Sequence, residues 1–169
     1  MILRPLPFDH PDAQAMIAAI QQEMVVRYGG PDETPVDPRE FDPPAGMFLV
    51  GYVDGVPVAS GGWRARDAVA GDPQLAAGDA EIKRMYVEPA HRGRGYARAV
   101  LAEVERTAVA AGRVRMILET GTAQPEAMEL YRSAGYAPMP GFGTYRGEPD
   151  SRCFSKIVSC VGRPVLPGR

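Results

Sequence analysis

The chain has 169 residues, of which 45% are hydrophobic and 24% charged, and its formal net charge at pH 7 is −2. This composition is typical of one globular domain, and the slightly acidic balance provides no bulk attraction to nucleic acid or anionic membranes. Cys153 and Cys160 do not have the spacing of metal ligands, so a protein without a metal is expected. No apolar run is long enough to span a membrane and no secretory signal is recognised, so a cytoplasmic protein is expected. We predict a single domain over residues 1–161 and a flexible tail over 162–169.

The first half of the chain is predicted to form a strand, a helix and an antiparallel meander. Apolar residues at helical spacing indicate an amphipathic helix that is capped by Asp9 and ends near Arg27. A proline-rich loop, residues 29–44, follows this helix. Asp54-Gly55 is a favoured two-residue turn between two strand-like runs. The strands predicted in this half are residues 1–5, 47–53, 56–64 and 80–87.

The second half alternates helices and strands, which is typical of β-α-β crossovers. A helix that starts at Ala97 is expected to end at Gly112, because glycine suits the left-handed position that closes a helix. The other predicted elements are a strand at 114–119, a helix at 125–134, and strands at 136–139 and 153–158. The predicted fold class is therefore α/β in the α+β sense, with a mixed, mostly antiparallel sheet of six to seven strands and helices on both faces.

The most informative segment is Arg92-Gly93-Arg94-Gly95-Tyr96-Ala97, between a predicted strand and a predicted helix. Its glycines permit a tight turn and close approach of the backbone to a ligand. Free N–H groups and the dipole at the start of the helix attract anions, and Arg92, Arg94 and Arg98 add positive charge, so a pyrophosphate suits the site. A P-loop is excluded by the lack of Gly-Lys-Ser/Thr, and a dinucleotide fingerprint by Arg98 in place of the third glycine. The alternative is a glycine-rich turn with solvated arginines.

Two motifs resemble those of the GCN5-related N-acetyltransferases, the GNAT family. The first is the strand Glu81–Val87 followed by Arg92-x-x-Gly95-x-Ala97, which meets the family signature Gln/Arg-x-x-Gly-x-Gly/Ala. The second is Pro125–Tyr131 followed by Ser133-Ala134-Gly135-Tyr136. Two motifs at the right spacing are more specific than either alone. The resemblance implies the GNAT fold, acetyl-CoA as cosubstrate, and direct transfer of the acetyl group to an amine.

The resemblance also implies which residues hold the coenzyme. Backbone groups of the fourth strand would bind the pantetheine arm as a pseudo-strand, in a gap between the fourth and fifth strands. The amides of the glycine-rich turn would cradle the pyrophosphate, and Gln124 stands where many relatives have an asparagine that contacts the pantetheine. The coenzyme-binding residues predicted in this way are Met85, Tyr86, Val87, Arg92, Gly93, Arg94, Gly95, Tyr96, Ala97, Arg98 and Gln124.

Attack of an amine on a thioester needs a base that frees the amine and an acid that serves the departing thiolate. By resemblance, Glu81 is the candidate general base, acting directly or through a water, and Tyr131 is the candidate general acid. The alternatives are an ion pair of Glu81 with Lys83 or an arginine, and a packing role for Tyr131. Residues 119–121 are expected to face the acceptor, and the loop 141–145 is expected to form a lid over it.

The sequence therefore predicts an N-acetyltransferase that acts on a primary amine of a small molecule or an amino acid. The proline-rich loop would wall off an open peptide groove, which favours a small acceptor. Two alternatives stay open, namely acetylation of protein N-termini or lysines, and a non-catalytic acyl-CoA sensor. No nucleic-acid or membrane partner is predicted. The sequence does not determine the acceptor, the length of the acyl group or the oligomeric state, with a homodimer among the options.

Overall fold

The structure is a computed structural model that describes residues 1–159. Its strands are β1 (Ile2–Pro5), β2 (Gly46–Val53), β3 (Val56–Arg66), β4 (Asp79–Val87), β5 (Arg115–Gly121), β6 (Ala137–Met139) and β7 (Ser151–Ile157). Its α-helices are α1 (Pro11–Tyr28), α2 (Tyr96–Ala110) and α3 (Pro125–Ser133). The strands form one sheet in the order β1-β2-β3-β4-β5-β7-β6, in which β4 and β5 are parallel and the other neighbours antiparallel. The predicted mixed, mostly antiparallel sheet is confirmed.

Successive residues of a strand point to opposite sides of the sheet, so both faces carry apolar side chains, and helices cover both. Leu49 lies in the larger core, together with the buried faces of α2 and α3. Its neighbour Phe48 belongs to a smaller core on the opposite face, beneath α1. There Phe8 stacks on Phe41 with ring centroids 4.5 Å apart, and Phe48 meets both rings edge-on. These aromatic pairs fix α1 and the loop after it against the sheet.

The path of β4 shapes the middle of the sheet. This strand pairs with β5 only through residues 79–81, although it pairs with β3 along most of its length. A bulge interrupts the β3–β4 register, with Arg84 at a positive φ of 59°. Beyond Glu81 the described residues of β4 and β5 are unpaired with each other, so the two strands diverge. An edge of β4 is therefore left open in the interior of the sheet.

Some predicted boundaries are wrong, and one matters for function. The cap of α1 is His10, whose Nδ1 accepts a hydrogen bond from the N–H of Asp12 at 3.1 Å, and not Asp9. Strand β3 continues two residues past its predicted end at Arg64, so that Arg66 is part of the sheet. The proposed tail, residues 162–169, lies outside the described residues.

Candidate active site

The divergence of β4 from β5 opens a cavity of about 580 Å³, which we call the coenzyme cavity. Strands β4 and β5, the start of α2 and the inner face of α3 form its walls. The predicted coenzyme residues that line it are Met85, Tyr86, Val87, Arg92, Gly93, Gly95, Tyr96, Ala97, Arg98 and Gln124. Arg94 is not in this lining, because its guanidinium turns back to the carbonyl of Ala90 at 3.4 Å. The fold thus brings the two sequence motifs together around one cavity.

The start of α2 forms an anion cradle in this wall. Gly93 and Gly95 have φ values of 75° and 78°, which residues with a side chain rarely adopt. A Cβ added to either glycine would meet no heavy atom within 4 Å, so both face open space. Gly95 is the N-cap of α2 and has no side chain to accept from the first N–H groups of the helix. Those donors are available to an anion in the cavity.

Arginines hold this turn in place and add positive charge. The Nε of Arg92 donates to the carbonyl of Val87 at 2.8 Å, and its guanidinium pairs with Glu23 of α1 at 2.5 Å. Arg98 donates to Oγ of Ser133 on α3 at 2.7 Å. Since both guanidiniums also line the coenzyme cavity, they reinforce the field of the helix N-terminus.

Tyr131 projects from α3 into the coenzyme cavity and is only 5% exposed. Its ring packs edge-on against Tyr136 with centroids 5.6 Å apart. The hydroxyl of Tyr136 donates to Glu105 at 2.9 Å, whereas none of the described residues hydrogen-bonds the hydroxyl of Tyr131. Burial raises the pKa of Tyr131, so the phenol keeps its proton at neutral pH. It is therefore a hydrogen-bond donor available to a group in the cavity.

Glu119 lies on β5 and lines the same cavity. Burial raises the pKa of its carboxyl to about 7, the charge of Lys83 opposes this shift, and the charges of Glu81 and Asp32 add to it. The Sγ of Cys153, on the neighbouring strand β7, lies 4.0 Å from its carboxylate. A carboxyl with a pKa near 7 exchanges its proton readily at neutral pH, which is the property of a general base.

Glu81 has different surroundings, although it lies on the neighbouring strand β4. It is 3% exposed, and its Oε2 accepts a hydrogen bond from Nε of Arg64 at 2.8 Å. The Nε of Arg66 lies 3.5 Å from the same oxygen, and Nζ of Lys83 lies 3.8 Å from Oε1. Glu81 lines a second cavity and is not part of the coenzyme cavity lining. The ion pair considered from the sequence is present, and the role of Glu81 as a base stays a prediction.

The second cavity, which we call the acceptor cavity, has a volume of about 330 Å³ and shares Glu119 with the coenzyme cavity. The proline-rich loop, the loop after β3 and the predicted lid line it. These loops contribute Thr34, Pro35, Val69, Asp72, Leu75, Phe142, Gly143 and Thr144. Hydrogen bonds tie the loops together, from the N–H of Glu33 to Oη of Tyr145 at 2.7 Å and from the N–H of Gly143 to Asp72 at 2.9 Å.

Gln124 sits where α3 begins and contacts the end of β5. Its Oε1 accepts hydrogen bonds from Tyr28 at 3.3 Å and from Oγ1 of Thr120 at 3.4 Å. The amide nitrogen of its side chain has no hydrogen-bond partner among residues 1–159, so it can donate into the coenzyme cavity that Gln124 lines.

Sequence reasoning missed the part that three residues of the two cavities play in the site. Glu119 was expected to face the acceptor but not to act as the base. The sequence does contain a signal for this role. Glu119 directly follows the buried strand residues Met116–Leu118, and a carboxylate near a buried strand is costly unless it has a function or a partner. Arg66 and Thr34 carry no such signal, since they reach the acceptor cavity only through the ends of β3 and of a loop.

Residues 1–159 contain no cluster of three or more His, Cys, Asp or Glu side chains that could hold a metal ion. None of the helices in this range is both long and apolar enough to cross a membrane.

Comparisons with known proteins identify the family and the fold of this chain. A family model described as "Acetyltransferase (GNAT) family" matches residues 15–136. The "IAA acetyltransferase" of Azospirillum brasilense is 38% identical over 109 residues, which span 64% of this chain and 66% of that relative, just under two thirds of its length. A Klebsiella pneumoniae structure, provisionally named an acyl-CoA N-acyltransferase, has a TM-score of 0.72 at 25% identity and covers 94% of this chain and 97% of its own. A Salmonella typhimurium structure solved with its cofactor acetyl-CoA has a TM-score of 0.63 at 21% identity, with 97% of each chain covered.

Proposed function

This chain belongs to the GNAT family of acetyltransferases, and we propose that it transfers the acetyl group of acetyl-CoA to the primary amine of a small molecule. The observation that carries the proposal is the position of Glu119, a carboxyl with a raised pKa at the junction of two cavities. One cavity carries the family's coenzyme motif, and the other is lined by loops. A base at such a junction is placed between a donor and an acceptor.

The coenzyme cavity fits acetyl-CoA by its chemistry as well as by the family. The N–H groups at the start of α2 and the guanidiniums of Arg92 and Arg98 would hold the pyrophosphate. The open edge of β4 beyond Glu81 would hydrogen-bond the pantetheine amides through Met85 and Val87. When bound, acetyl-CoA supplies an acetyl thioester, which an amine can attack directly.

Glu119 accepts the proton that the amine must lose before a C–N bond can form. A primary amine with a pKa near that of lysine, about 10.4, is almost fully protonated at neutral pH. A carboxylate with a pKa of about 7 is a stronger base than an ordinary glutamate and can accept this proton directly or through a water. Glu81, held by Arg64, would orient Lys83, whose charge acts on the carboxyl of Glu119.

Tyr131 assists the leaving group as the C–S bond breaks. Conversion of an ammonium to an amide releases two protons, of which one passes to Glu119 and one ends on the thiol. The hydroxyl of Tyr131 stays protonated because burial raises its pKa, so it can donate a hydrogen bond to the departing sulfur. This bond stabilises the negative charge at the point where it develops.

The size of the acceptor cavity and the loops that line it support a small acceptor over a protein chain. A volume of about 330 Å³ suits a small molecule. The loops around it are joined by hydrogen bonds that an extended peptide would have to break. Acetylation of a protein terminus would instead need an open groove.

The test of this function combines turnover with coenzyme binding. Thiol release from acetyl-CoA is measured with a panel of primary amines, and thermal unfolding is measured with and without the coenzyme. We expect turnover with at least one small amine and a coenzyme-induced stabilisation of about 2.7 kcal/mol at a ligand concentration of 100 Kd.

A pair of glycine variants serves to locate the coenzyme. Gly95→Val should abolish the stabilisation by blocking the cradle, whereas Gly112→Val is the matched control at the other end of α2. Both glycines have positive φ, 78° and 81°, and both face open space, so the backbone strain is similar. Absence of any coenzyme-induced shift in the parent, or an equal shift in both variants, would contradict the proposed coenzyme site.

A further inference from the structure

The acceptor cavity contains two polar groups that the fold leaves without hydrogen-bond partners. The Nε of Arg66 and Oγ1 of Thr34 are buried and make no hydrogen bond within residues 1–159. Arg66 lies 3.5 Å from Glu81, which is an ion-pair distance but not a hydrogen bond by geometry, and its terminal nitrogens also lack partners in that range. A buried donor without an acceptor is costly, and a ligand that supplies the acceptor removes that cost.

Other charged groups of the cavity are already matched by the protein. Arg64 donates to Glu81 at 2.8 Å and to Glu40 at 2.7 Å. Asp72 accepts the N–H groups of Gln74 at 3.1 Å and of Gly143 at 2.9 Å. Arg66 has only the 3.5 Å ion pair with Glu81 and makes no hydrogen bond within residues 1–159. Glu119 feels the charge of Lys83 but forms no ion pair in that range, so both groups can still accept a partner from a ligand in the cavity.

We propose that the acceptor is an amino acid, bound with its carboxylate on Arg66 and its amino group at Glu119. The inference rests on the proposed function and names the substrate class of that same site. A zwitterion offers a hydrogen-bonded partner to both groups at once and adds no net charge to the cavity. Thr34 donates its hydroxyl to the same carboxylate. Val69, Leu75 and Phe142 line the rest of the cavity and favour an apolar side chain.

The test compares each amino acid with the amine that lacks only the carboxylate. L-Leucine is paired with 3-methylbutylamine, L-phenylalanine with 2-phenylethylamine, and the other amino acids are screened in the same way by thiol release. In the parent enzyme, kcat/KM for at least one amino acid should exceed that of its decarboxylated partner by about 10- to 100-fold, the range of a hydrogen bond to a charged group. In Arg66→Gln, this ratio should fall towards one, through a rise in KM for the amino acid.

Arg106→Gln is the control for the loss of one positive charge, because Arg106 is exposed on α2 and pairs only with Glu103 among the described residues. It should leave the ratio unchanged. The inference is overturned if carboxylate-free amines are the better substrates of the parent, or if Arg66→Gln keeps the parent's ratio while its melting temperature shows a folded protein.

Failure of the proposed function would look different. No amine of either kind would then be acetylated, and the carboxylate site would be tested by calorimetry, with N-acetyl-L-leucine and N-(3-methylbutyl)acetamide as probes. If the parent binds N-acetyl-L-leucine but not the amide that lacks the carboxylate, and Arg66→Gln loses this binding, the carboxylate site is upheld. Equal binding of both probes, or binding of neither, would overturn it.

Discussion

Replacement of Glu119 by glutamine should remove the base while keeping the shape of the site. We expect turnover at neutral pH to fall by about 10²- to 10⁴-fold, which is the usual contribution of one positioned base. In the parent, kcat/KM should rise as pH increases through about 7, because Glu119 must lose its proton to act. In Glu119→Gln this inflection should vanish, and the deficit should narrow at alkaline pH, where the amine is already neutral.

The ionisation of Glu119 that raises turnover with pH should lower the stability of the folded protein. Its pKa is raised from an ordinary 4.5 to about 7 in the folded protein, so between these values the folded state binds more protons than the unfolded state. The free energy of unfolding therefore falls as pH rises through this window. At about 1.4 kcal/mol per pKa unit the full shift corresponds to roughly 3 kcal/mol, and the opening of the carboxyl to two cavities reduces this to about 1–2 kcal/mol. Glu119→Gln should be more stable than the parent by this amount above about pH 7.

The assay is thiol release from acetyl-CoA with a fixed amine between about pH 5 and about pH 9, with chemical denaturation at the same pH values. Glu81→Gln is measured beside it as the matched carboxylate control on the neighbouring strand. Parental turnover and an unchanged pH profile in Glu119→Gln would refute the assignment. If Glu81→Gln alone lost the inflection near pH 7, the base would be Glu81, as the sequence predicts.

Variants of Tyr131 and Glu81 separate chemistry from packing. Tyr131→Phe should lower turnover by about 10²-fold or more, with little change in coenzyme affinity or melting temperature, because the hydroxyl of Tyr131 makes no hydrogen bond within residues 1–159. Steady-state kinetics and calorimetry compare it with the control Tyr136→Phe, which loses the hydrogen bond to Glu105. Parental turnover in Tyr131→Phe would show that Tyr131 has only a packing role. Glu81→Gln should lower the free energy of unfolding by about 2–4 kcal/mol in denaturant titrations, because it leaves the buried Arg64 with Glu40 as its remaining carboxylate. An unchanged midpoint of unfolding would show that the buried ion pair adds no stability.

The family and the coenzyme site follow from the sequence because their signals are local. The anion cradle needs two glycines, a helix start and nearby arginines, and all of these lie between Arg92 and Arg98. The strand and helix periods likewise depend on residues a few positions apart, and the predicted sheet has the observed strand content. The order of strands β5, β7 and β6 could not be derived in this way, since it depends on which distant segments pair.

Only the tertiary structure distinguishes the two carboxylates. Both Glu81 and Glu119 stand in β-strands next to apolar residues, Ile82 and Leu118, and the sequence favours Glu81 because of its place in the family motif. In the fold, Arg64 reaches Glu81 from β3, whereas Glu119 lies where β5 has parted from β4 and no arginine contacts it among the described residues. The pKa of a buried carboxyl depends on desolvation and on charges brought close by folding, and neither can be read from neighbours along the chain. The sequence thus determines the family and the coenzyme cradle, while the positions of Glu119 and Arg66 in a shared cavity are decided by three-dimensional packing.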